Sequence, residues 1–176
     1  SVDDHASGYP RGHYYLAHGG GGNTGKWIGS KGSFLEGGIR VPAILRYPEK
    51  IPAGETRDQV VTIMDWFPTV LELCGIKQEV GAPKLDGRSM TRIIAEPSAP
   101  SEHEVLHFAL AANWAVRKGD WKLIGKLDRK NGRETLSLHH LAEANPEVKD
   151  HAQDQPEVVR ELSALHEAWQ SGMISK

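Results

Sequence analysis

Residues 29–42 read G-S-K-G-S-F-L-E-G-G-I-R-V-P, and the rest of the chain is organised around this stretch. Lys31 stands between two glycines, and Glu36 precedes a glycine pair. Glycine allows the backbone a positive φ and a close approach to a ligand or to another segment. A lysine on such a loop is a mobile cation that suits an anionic group. We therefore predict that this loop carries Lys31 to an anion-binding active site, most of which lies outside this chain.

The bulk composition is that of an ordinary globular protein. The chain has 176 residues, of which 39% are apolar and 25% are charged, and this length suits one domain or one and a half. The formal net charge of -2 gives no electrostatic reason to expect nucleic acid or a membrane surface as a partner. Cys74 is the single cysteine, which excludes an internal disulfide and a cysteine-based zinc site.

Residues 1–30 are rich in histidine, glycine and tyrosine and have no helical or strand periodicity. A structureless loop of this length is usually functional or disordered, and its aromatic residues argue against plain disorder. His13 and His18 in this loop either line a substrate mouth, where imidazole can donate a proton, or serve loop packing. Both interpretations stay open. For Trp27, loop packing is preferred to stacking on a sugar.

A phosphate-binding P-loop is suggested by the spacing of Gly20, Gly25 and Lys26. However, Trp27 stands where a Ser or Thr would hold magnesium, no apolar strand precedes the motif, and no amphipathic helix follows it. We therefore reject nucleotide binding.

The first half of the chain predicts one buried strand and one main helix. Val41–Leu45 is a short apolar run, which is typical of a buried strand. A helix is predicted at Trp66–Cys74, with Asp65 as its N-cap and Cys74 as a buried thiol on its apolar face. The polar, proline-rich segment 96–104 predicts a subdomain boundary.

The second half predicts a small antiparallel sheet followed by a helix. Turn signals at Lys118-Gly119-Asp120 and Asn131-Gly132 separate short apolar runs. A helix is predicted from Pro156 to Gln170, stopped by Gly172, with an apolar face that packs on the sheet. The predicted strands are Val105–Ala109, Trp114–Lys118, Trp121–Ile124 and Glu134–Leu138.

Four pieces of the chain match, in order, the motifs of one known family. Residues 29–42 resemble its G-K-G-x-x-x-E-G-G-x-R-x-P block. Residues 64–71, M-D-W-F-P-T-V-L, are similar to its D-x-x-P-T helix start, and residues 85–89, L-D-G-R-S, to its L-D-G-x-S. Residues 115–124 and 138–147 are similar to its R-x-G-x-W-K-L strand pair and its L-Y-D-L…D-P-x-E ending. The chain thus resembles the C-terminal portion of a sulfatase of the arylsulfatase type, within the alkaline-phosphatase-like superfamily.

This resemblance implies an α/β fold class, which is α+β in this chain. The expected architecture is the end of an alkaline-phosphatase-like α/β domain, followed by a small C-terminal antiparallel sheet packed with a terminal helix. Residues 1–100 would be the C-terminal part of the catalytic domain, with residues 1–40 as an active-site loop. Residues 101–176 would be the C-terminal subdomain.

The resemblance also implies hydrolysis of sulfate esters. In the family, a calcium ion and basic side chains bind the sulfate group, and a hydrated formylglycine attacks sulfur. Lys31 matches the family lysine that contacts the sulfate ester, so it is the expected catalytic and substrate-binding residue. His13 and His18 are further substrate-binding candidates.

Two essential parts of a sulfatase site are missing from the sequence. The formylglycine motif C-x-P/A-x-R is absent, because Cys74 lies in L-C-G-I-K, and no S-D-N-G metal-ligand turn occurs in residues 1–28. We therefore expect no metal ligands in this chain and place the nucleophile and the calcium ligands upstream of it. The chain alone is expected to be inactive.

The expected partners are a sulfated small molecule or sulfated carbohydrate and the rest of the catalytic domain, with neither nucleic acid nor a membrane. The compartment stays open, with a periplasmic or secreted location as the family's prior. Glu36 and Arg40 are interpreted as a structural ion pair rather than as substrate contacts. His139 and His140 replace an aromatic-acid pair of the family and are interpreted as surface variation. The alternatives are a phosphate or phosphonate ester hydrolase of the same superfamily and a non-catalytic scaffold module.

Overall fold

The computed structural model describes residues 24–128 and 130–174, and the chain divides into two compact units. Unit 1 combines the residues up to Val41 with those from Val105 onward, and unit 2 comprises Pro42–Glu104. Unit 1 is thus assembled from two separate stretches of sequence. The assignment of residues 1–100 to a larger catalytic domain stays a prediction.

Unit 1 is built on a four-stranded antiparallel sheet in the order β1-β2-β3-β4. This meander follows from local turn chemistry, because turns at Gly119 and Gly132 join successive strands. The four predicted strands are confirmed, and β3 and β4 extend further than predicted. The strands are β1 Val105–Leu110, β2 Asn113–Lys118, β3 Trp121–Asp128 and β4 Arg133–His140, and the helices are α1 Glu36–Ile39, α2 Trp66–Leu73, α3 Thr91–Ala95 and α4 Pro156–Ile174.

One face of the sheet is covered by α4. Val116, Leu123 and Leu138 point to this face and pack with Leu162 of the helix, and all four are at most 1% exposed. The predicted packing of the terminal helix on the sheet is therefore confirmed. The predicted stop at Gly172 is wrong, because α4 continues through this residue to Ile174.

The opposite face of the sheet is covered by the segment that precedes and includes α1. Ala115 and Ile124, the strand neighbours of Val116 and Leu123, turn to this face because side chains alternate along a strand. They form a second core with Leu35, which is 6% exposed. The glycine-framed stretch identified in the sequence is thus one outer layer of unit 1.

Unit 2 consists of short helices joined by long loops. Helix α2 follows a short 3-10 helix at Ile63–Asp65 and buries Thr69. The predicted burial of Cys74 is wrong, because this residue is exposed. Phe67 and Val70 are also 58% and 45% exposed, so the described part of the chain leaves the apolar side of α2 uncovered.

The predicted strand at Val41–Leu45 does not form. Val41 and Ile44 are 79% and 91% exposed, and no described strand pairs with this segment. Pro42 lacks the N–H group that a sheet ladder requires. None of the helices within residues 24–128 and 130–174 has the length and hydropathy to cross a membrane.

Candidate functional site

Lys31 lies in a tight turn between Ser30 and Ser33. The Ser33 N–H donates to the Ser30 carbonyl oxygen at 2.9 Å, and the Ser33 hydroxyl donates to the same oxygen at 2.9 Å. Gly32 is the third residue of this turn and has a φ of 96°. A type II turn requires a positive φ at that position, which glycine adopts most easily. The side chain of Lys31 is exposed. The turn therefore presents the predicted anion-binding lysine at the surface of the described structure.

The base of this turn is closed by backbone packing. The Gly37 N–H donates to the Ile28 carbonyl oxygen at 2.8 Å. A Cβ atom at Gly37 would lie 2.7 Å from that same oxygen, a separation that real Cβ atoms essentially never show. The first glycine of the pair after Glu36 thus permits a contact between backbones that closes the loop.

Directly after the turn, Glu36 is buried in a cluster of charges. Its Oε1 atom accepts a hydrogen bond from Lys122 Nζ at 2.8 Å, and Lys122 Nζ also donates to Glu147 Oε1 at 2.9 Å. The backbone N–H of Glu36 donates to Glu147 Oε2 at 2.7 Å. The side chains of these residues are 0–1% exposed. The three residues thus form a closed ring of charge-assisted hydrogen bonds.

Two arginines complete this buried ion cluster. Arg40 Nη1 and Arg117 Nη1 lie 3.3 Å and 3.5 Å from Glu36 Oε2, so the predicted Glu36–Arg40 ion pair is confirmed. Three cations thus contact the carboxylate of Glu36, and Lys122 alone is shared with the carboxylate of Glu147. Burial by itself raises the pKa of Glu36, but Lys122, Arg117 and Arg40 outweigh it and hold this pKa below its ordinary value.

The cluster joins two of the four sequence pieces that resemble the sulfatase motifs, the first piece and the tail that consists of the strand pair and the ending. Glu36 lies in the first piece, and Lys122 and Glu147 lie in the strand pair and the ending, 86 and 111 positions from Glu36. Sequence reasoning missed these two partners. The available signal was that Lys122 shares a strand face with the apolar Ile124, since a charge on a buried face requires a partner.

Unit 2 holds a second buried carboxylate, that of Asp65, which is 1% exposed. Its oxygens accept hydrogen bonds from the backbone N–H groups of Thr62 at 2.6 Å and Arg88 at 2.8 Å. His103 Nε2 lies 2.8 Å and 2.9 Å from the two oxygens. Burial raises the pKa of Asp65, but the two N–H groups and His103 outweigh this effect and lower the pKa below its ordinary value.

The remaining two motif pieces meet at this carboxylate. Asp65 belongs to residues 64–71 and Arg88 to residues 85–89, and their contact fixes one motif on the other. Asp65 lies at the N-cap position of α2, as predicted, but its side chain makes no capping hydrogen bond to that helix and instead accepts one from the Thr62 N–H. The two pieces therefore stabilise unit 2.

Three further residues that the sequence singled out are His13, His18 and Trp27. His13 and His18 lie outside the described residues. Trp27 agrees with loop packing, because the Arg40 guanidinium lies 4.2 Å and Lys26 Nζ 4.7 Å from the centre of its ring.

The interpretation of His139 as surface variation is wrong. This residue is 7% exposed, its Nδ1 lies 2.9 Å from the Lys149 carbonyl oxygen, and its Nε2 lies 3.1 Å from Ser137 Oγ. Burial lowers the pKa of His139. The burial of His139 follows from the register of the sheet. His139 is paired with Lys122 across β3 and β4, so its side chain lies on a covered face of the sheet.

The described residues do not fit a calcium site. Within residues 24–128 and 130–174, no group of three or more His, Cys, Asp or Glu side chains could hold a metal ion. Calcium in proteins is bound by six to eight oxygen ligands, among them carboxylates. The carboxylates of Glu36 and Glu147 are instead neutralised by basic side chains.

Comparisons with known proteins agree on one family. Residues 26–170 match the family described as N-sulphoglucosamine sulphohydrolase, C-terminal. Over 98 residues the chain is 42% identical to steryl-sulfatase of Homo sapiens, covering 55% of this chain and 17% of that protein. Over 144 residues it is 33% identical to an uncharacterized sulfatase of Schizosaccharomyces pombe, covering 76% of this chain and 25% of that protein.

A solved structure supports the same relationship. It is described as belonging to the metabolism of multiple glycosaminoglycans by Bacteroides thetaiotaomicron, and it is similar to this chain with a TM-score of 0.67 and 25% sequence identity. The similarity covers 83% of this chain and 32% of that chain. This chain thus spans about a sixth to a quarter of the length of the two curated relatives named above.

Proposed function

This chain belongs to the family of N-sulphoglucosamine sulphohydrolase C-terminal regions, and on that premise we propose that it is the C-terminal portion of a sulfatase that hydrolyses sulfate esters. The family match over residues 26–170 is the observation that carries the proposal. The similarity to steryl-sulfatase and to arylsulfatase D of Homo sapiens supports it, because both are sulfuric ester hydrolases.

Within this function, Lys31 binds an oxygen of the sulfate group. Its exposed position on a turn with a closed base supports this role, because a fixed cation stabilises negative charge that develops on oxygen during hydrolysis. His13 and His18 remain the candidates for further substrate contacts. The chemistry of this chain is therefore to bind and orient the anionic group.

The calcium ion and the formylglycine nucleophile belong to the rest of the enzyme. Bound calcium would polarise the sulfate oxygens as a Lewis acid. The alkaline-phosphatase-like relationship is part of the same proposal.

The main protein partner is the rest of the catalytic domain. Several large apolar side chains of unit 2 are exposed in the described structure, and packing against the rest of the domain would remove them from water. The substrate is a sulfated carbohydrate or a sulfated small molecule, as the names of the relatives suggest. The exposed side chains include Ile44, Ile63, Phe67, Ile76 and Val80.

A sulfatase assay of the longer protein that carries this chain tests the role of Lys31. Lys31→Ala is expected to lower kcat/KM by about 100-fold or more, the usual effect of removing one group that stabilises an oxyanion. Lys26→Ala, which removes a neighbouring exposed lysine, is the matched control and should retain activity. Thermal unfolding of each variant verifies that it is folded.

The same assay separates the alternatives. It is run with the sulfate ester and the phosphate ester of 4-nitrophenol. Faster hydrolysis of the phosphate ester would favour a phosphatase of the same superfamily. No hydrolysis of either ester would favour the scaffold module. Unchanged sulfatase activity in Lys31→Ala would refute the proposed role of that lysine.

A further inference from the structure

The turn that carries Lys31 is anchored only a few residues away, at Leu35 and Glu36. Leu35 is 6% exposed and packs with Ala115 and Ile124 on the sheet. Glu36 is held twice, by its side chain on Lys122 and by its backbone N–H on Glu147. Because the loop is also closed at Gly37, a displacement of Glu36 is transmitted to the turn.

From this geometry we propose that Lys122 is a positioning residue for the anion-binding lysine. It lies on β3, 86 positions after Glu36, and it fixes the Lys31 turn by bridging Glu36 and Glu147. The proposal deepens the proposed function and rests on the role given there to Lys31. Lys122 itself is 0% exposed, so its proposed role is to hold the turn and not to bind the substrate.

Lys122 can position the turn because its two acceptors, Glu36 and Glu147, are also joined by a hydrogen bond from the Glu36 backbone. The carboxylate of Glu147 binds the Glu36 N–H with one oxygen and Lys122 with the other. Without Lys122, two buried carboxylates would lie close together and repel each other. Since Glu147 is bonded to the backbone of the loop, the repulsion would move the loop itself rather than only a side chain.

The conformation of Glu147 supports its function as an anchor. Its φ is 66°, a left-handed conformation that is uncommon for a residue other than glycine. Such a conformation persists where the surroundings determine it. Here the surroundings are the two hydrogen bonds to its carboxylate and the burial of the residue to 4% exposure.

The test compares Lys122→Met, Lys31→Ala and the double variant in the longer sulfatase. Lys122→Met is expected to lower kcat/KM for a sulfate ester by about 100-fold, the loss that follows from misplacing a catalytic group by about 1 Å. The double variant should be no slower than Lys31→Ala, because Lys122 acts through Lys31. Lys122→Arg should restore part of the activity.

Amide hydrogen exchange supplies a readout that does not depend on catalysis. In Lys122→Met, the amide of Glu36 should exchange at least about tenfold faster, because Lys122 no longer holds its acceptor Glu147. The amide of Gly37, which donates to Ile28, should exchange faster because the neighbouring Glu36 is displaced. Lys118→Met is the matched control, since it removes a lysine of the same sheet whose ion pair with Glu161 is exposed. It should change neither exchange at these amides nor activity.

The outcomes separate this inference from the proposed function. If Lys31→Ala lowers activity and a folded Lys122→Met does not, the positioning role is overturned and the role of Lys31 stands. If Lys31→Ala has no effect, the role of Lys31 fails, and unchanged exchange in Lys122→Met would also overturn the anchoring of the turn. Should Lys122→Met not fold, Glu147→Gln replaces it, because glutamine keeps an oxygen acceptor but loses the ion pair.

Discussion

Glu36 in unit 1 and Asp65 in unit 2 are both 1% exposed, but different groups hold the two carboxylates. Lys122 and two arginines surround Glu36, whereas Asp65 accepts backbone N–H groups of Thr62 and Arg88 and pairs with His103. A cluster of full charges ties together segments that are far apart in sequence. Backbone N–H groups instead fix the carboxylate within a network of loops, and any substitution other than proline leaves them in place.

The largest expected loss of stability is that of Lys122→Met, which acts on unit 1. It leaves two buried carboxylates without their shared cation, which typically costs about 3–5 kcal/mol. Urea unfolding followed by hydrogen exchange should locate the loss in the sheet of unit 1. A loss below about 1 kcal/mol, as for an exposed pair, would contradict the importance of this cluster.

Asp65→Asn should have a smaller effect, confined to unit 2. Asparagine retains one oxygen acceptor, but its amide group would face a backbone N–H that it cannot accept, and a buried unsatisfied donor costs about 1–3 kcal/mol. The measurement is the exchange of the amides of Thr62 and Arg88 together with urea unfolding. Unchanged protection of both amides would show that Asp65 does not fix these loops.

The stability of unit 1 should depend on pH through its buried histidines. His107 on β1 stacks on Trp169, and His166 on α4 stacks on Trp114, with ring centres 4.9 Å and 4.1 Å apart. Burial lowers the pKa of both histidines from the ordinary 6.5, and the charge of His166 lowers the pKa of His107 further. Glu134 and Glu167 oppose the effect of burial at His166. Protonation therefore favours the unfolded state.

The stability of unit 1 should be complete above about pH 6.5 and should decline as the pH falls below it through the lowered pKa values. Urea unfolding monitored by tryptophan fluorescence between pH 7.5 and about 5 measures this slope. The double variant His107→Phe/His166→Phe keeps the aromatic stacks and should reduce the slope, leaving the contribution of His139, whose pKa burial also lowers. An equal slope in that variant would place the responsible groups elsewhere.

The carboxylates of Glu36 and Asp65 should make the stability of both units depend on pH, at lower pH values than the histidines do. The pKa values of Glu36 and Asp65 are lowered from the ordinary 4.5 and 3.8, so the stability they contribute is complete above those values. It is lost as the pH falls through the lowered folded pKa. The expected result is a second, acidic loss of stability that hydrogen exchange detects in both units. Stability of unit 1 that stays constant as the pH falls below 4.5, or of unit 2 as the pH falls below 3.8, would contradict it.

The smallest expected effect is that of Lys118→Met. The ion pair between Lys118 Nζ and Glu161 Oε1 is 2.7 Å long, but the two side chains are 39% and 51% exposed. Pairs of this kind contribute about 0–1 kcal/mol, because water screens them. The variant therefore calibrates the result for Lys122→Met, since both remove a lysine from the same sheet. A loss above about 2 kcal/mol would mean that exposed and buried pairs do not differ here in the way proposed.

Local patterns in the sequence were sufficient for local structure. Alternating apolar residues and turn signals predicted the sheet, and the apolar face of residues 156–170 predicted a helix packed on it. The same kind of pattern was insufficient at Val41–Leu45 and Cys74. It indicates which residues can be buried, but the surface that would bury them is not among the described residues. His139 was misjudged because its burial depends on strand register.

The candidate site was predictable to a more limited extent. A spacing of four residues revealed the Glu36–Arg40 pair, because such residues are neighbours on one helical turn. Lys122 and Glu147 were not found, since no local pattern specifies which distant charge meets Glu36. The roles of Lys31, His13 and His18 stay predictions.

The distance in sequence between Glu36 and Lys122 also determines when, during synthesis, the loop can reach its packed conformation. Glu36 leaves the ribosome 86 residues before Lys122, which at about 5–20 residues per second corresponds to roughly 4–17 s. During that interval the local turn at Ser30–Ser33 can form, but Leu35 has no sheet to cover. The loop therefore cannot dock on the sheet until translation has passed β3.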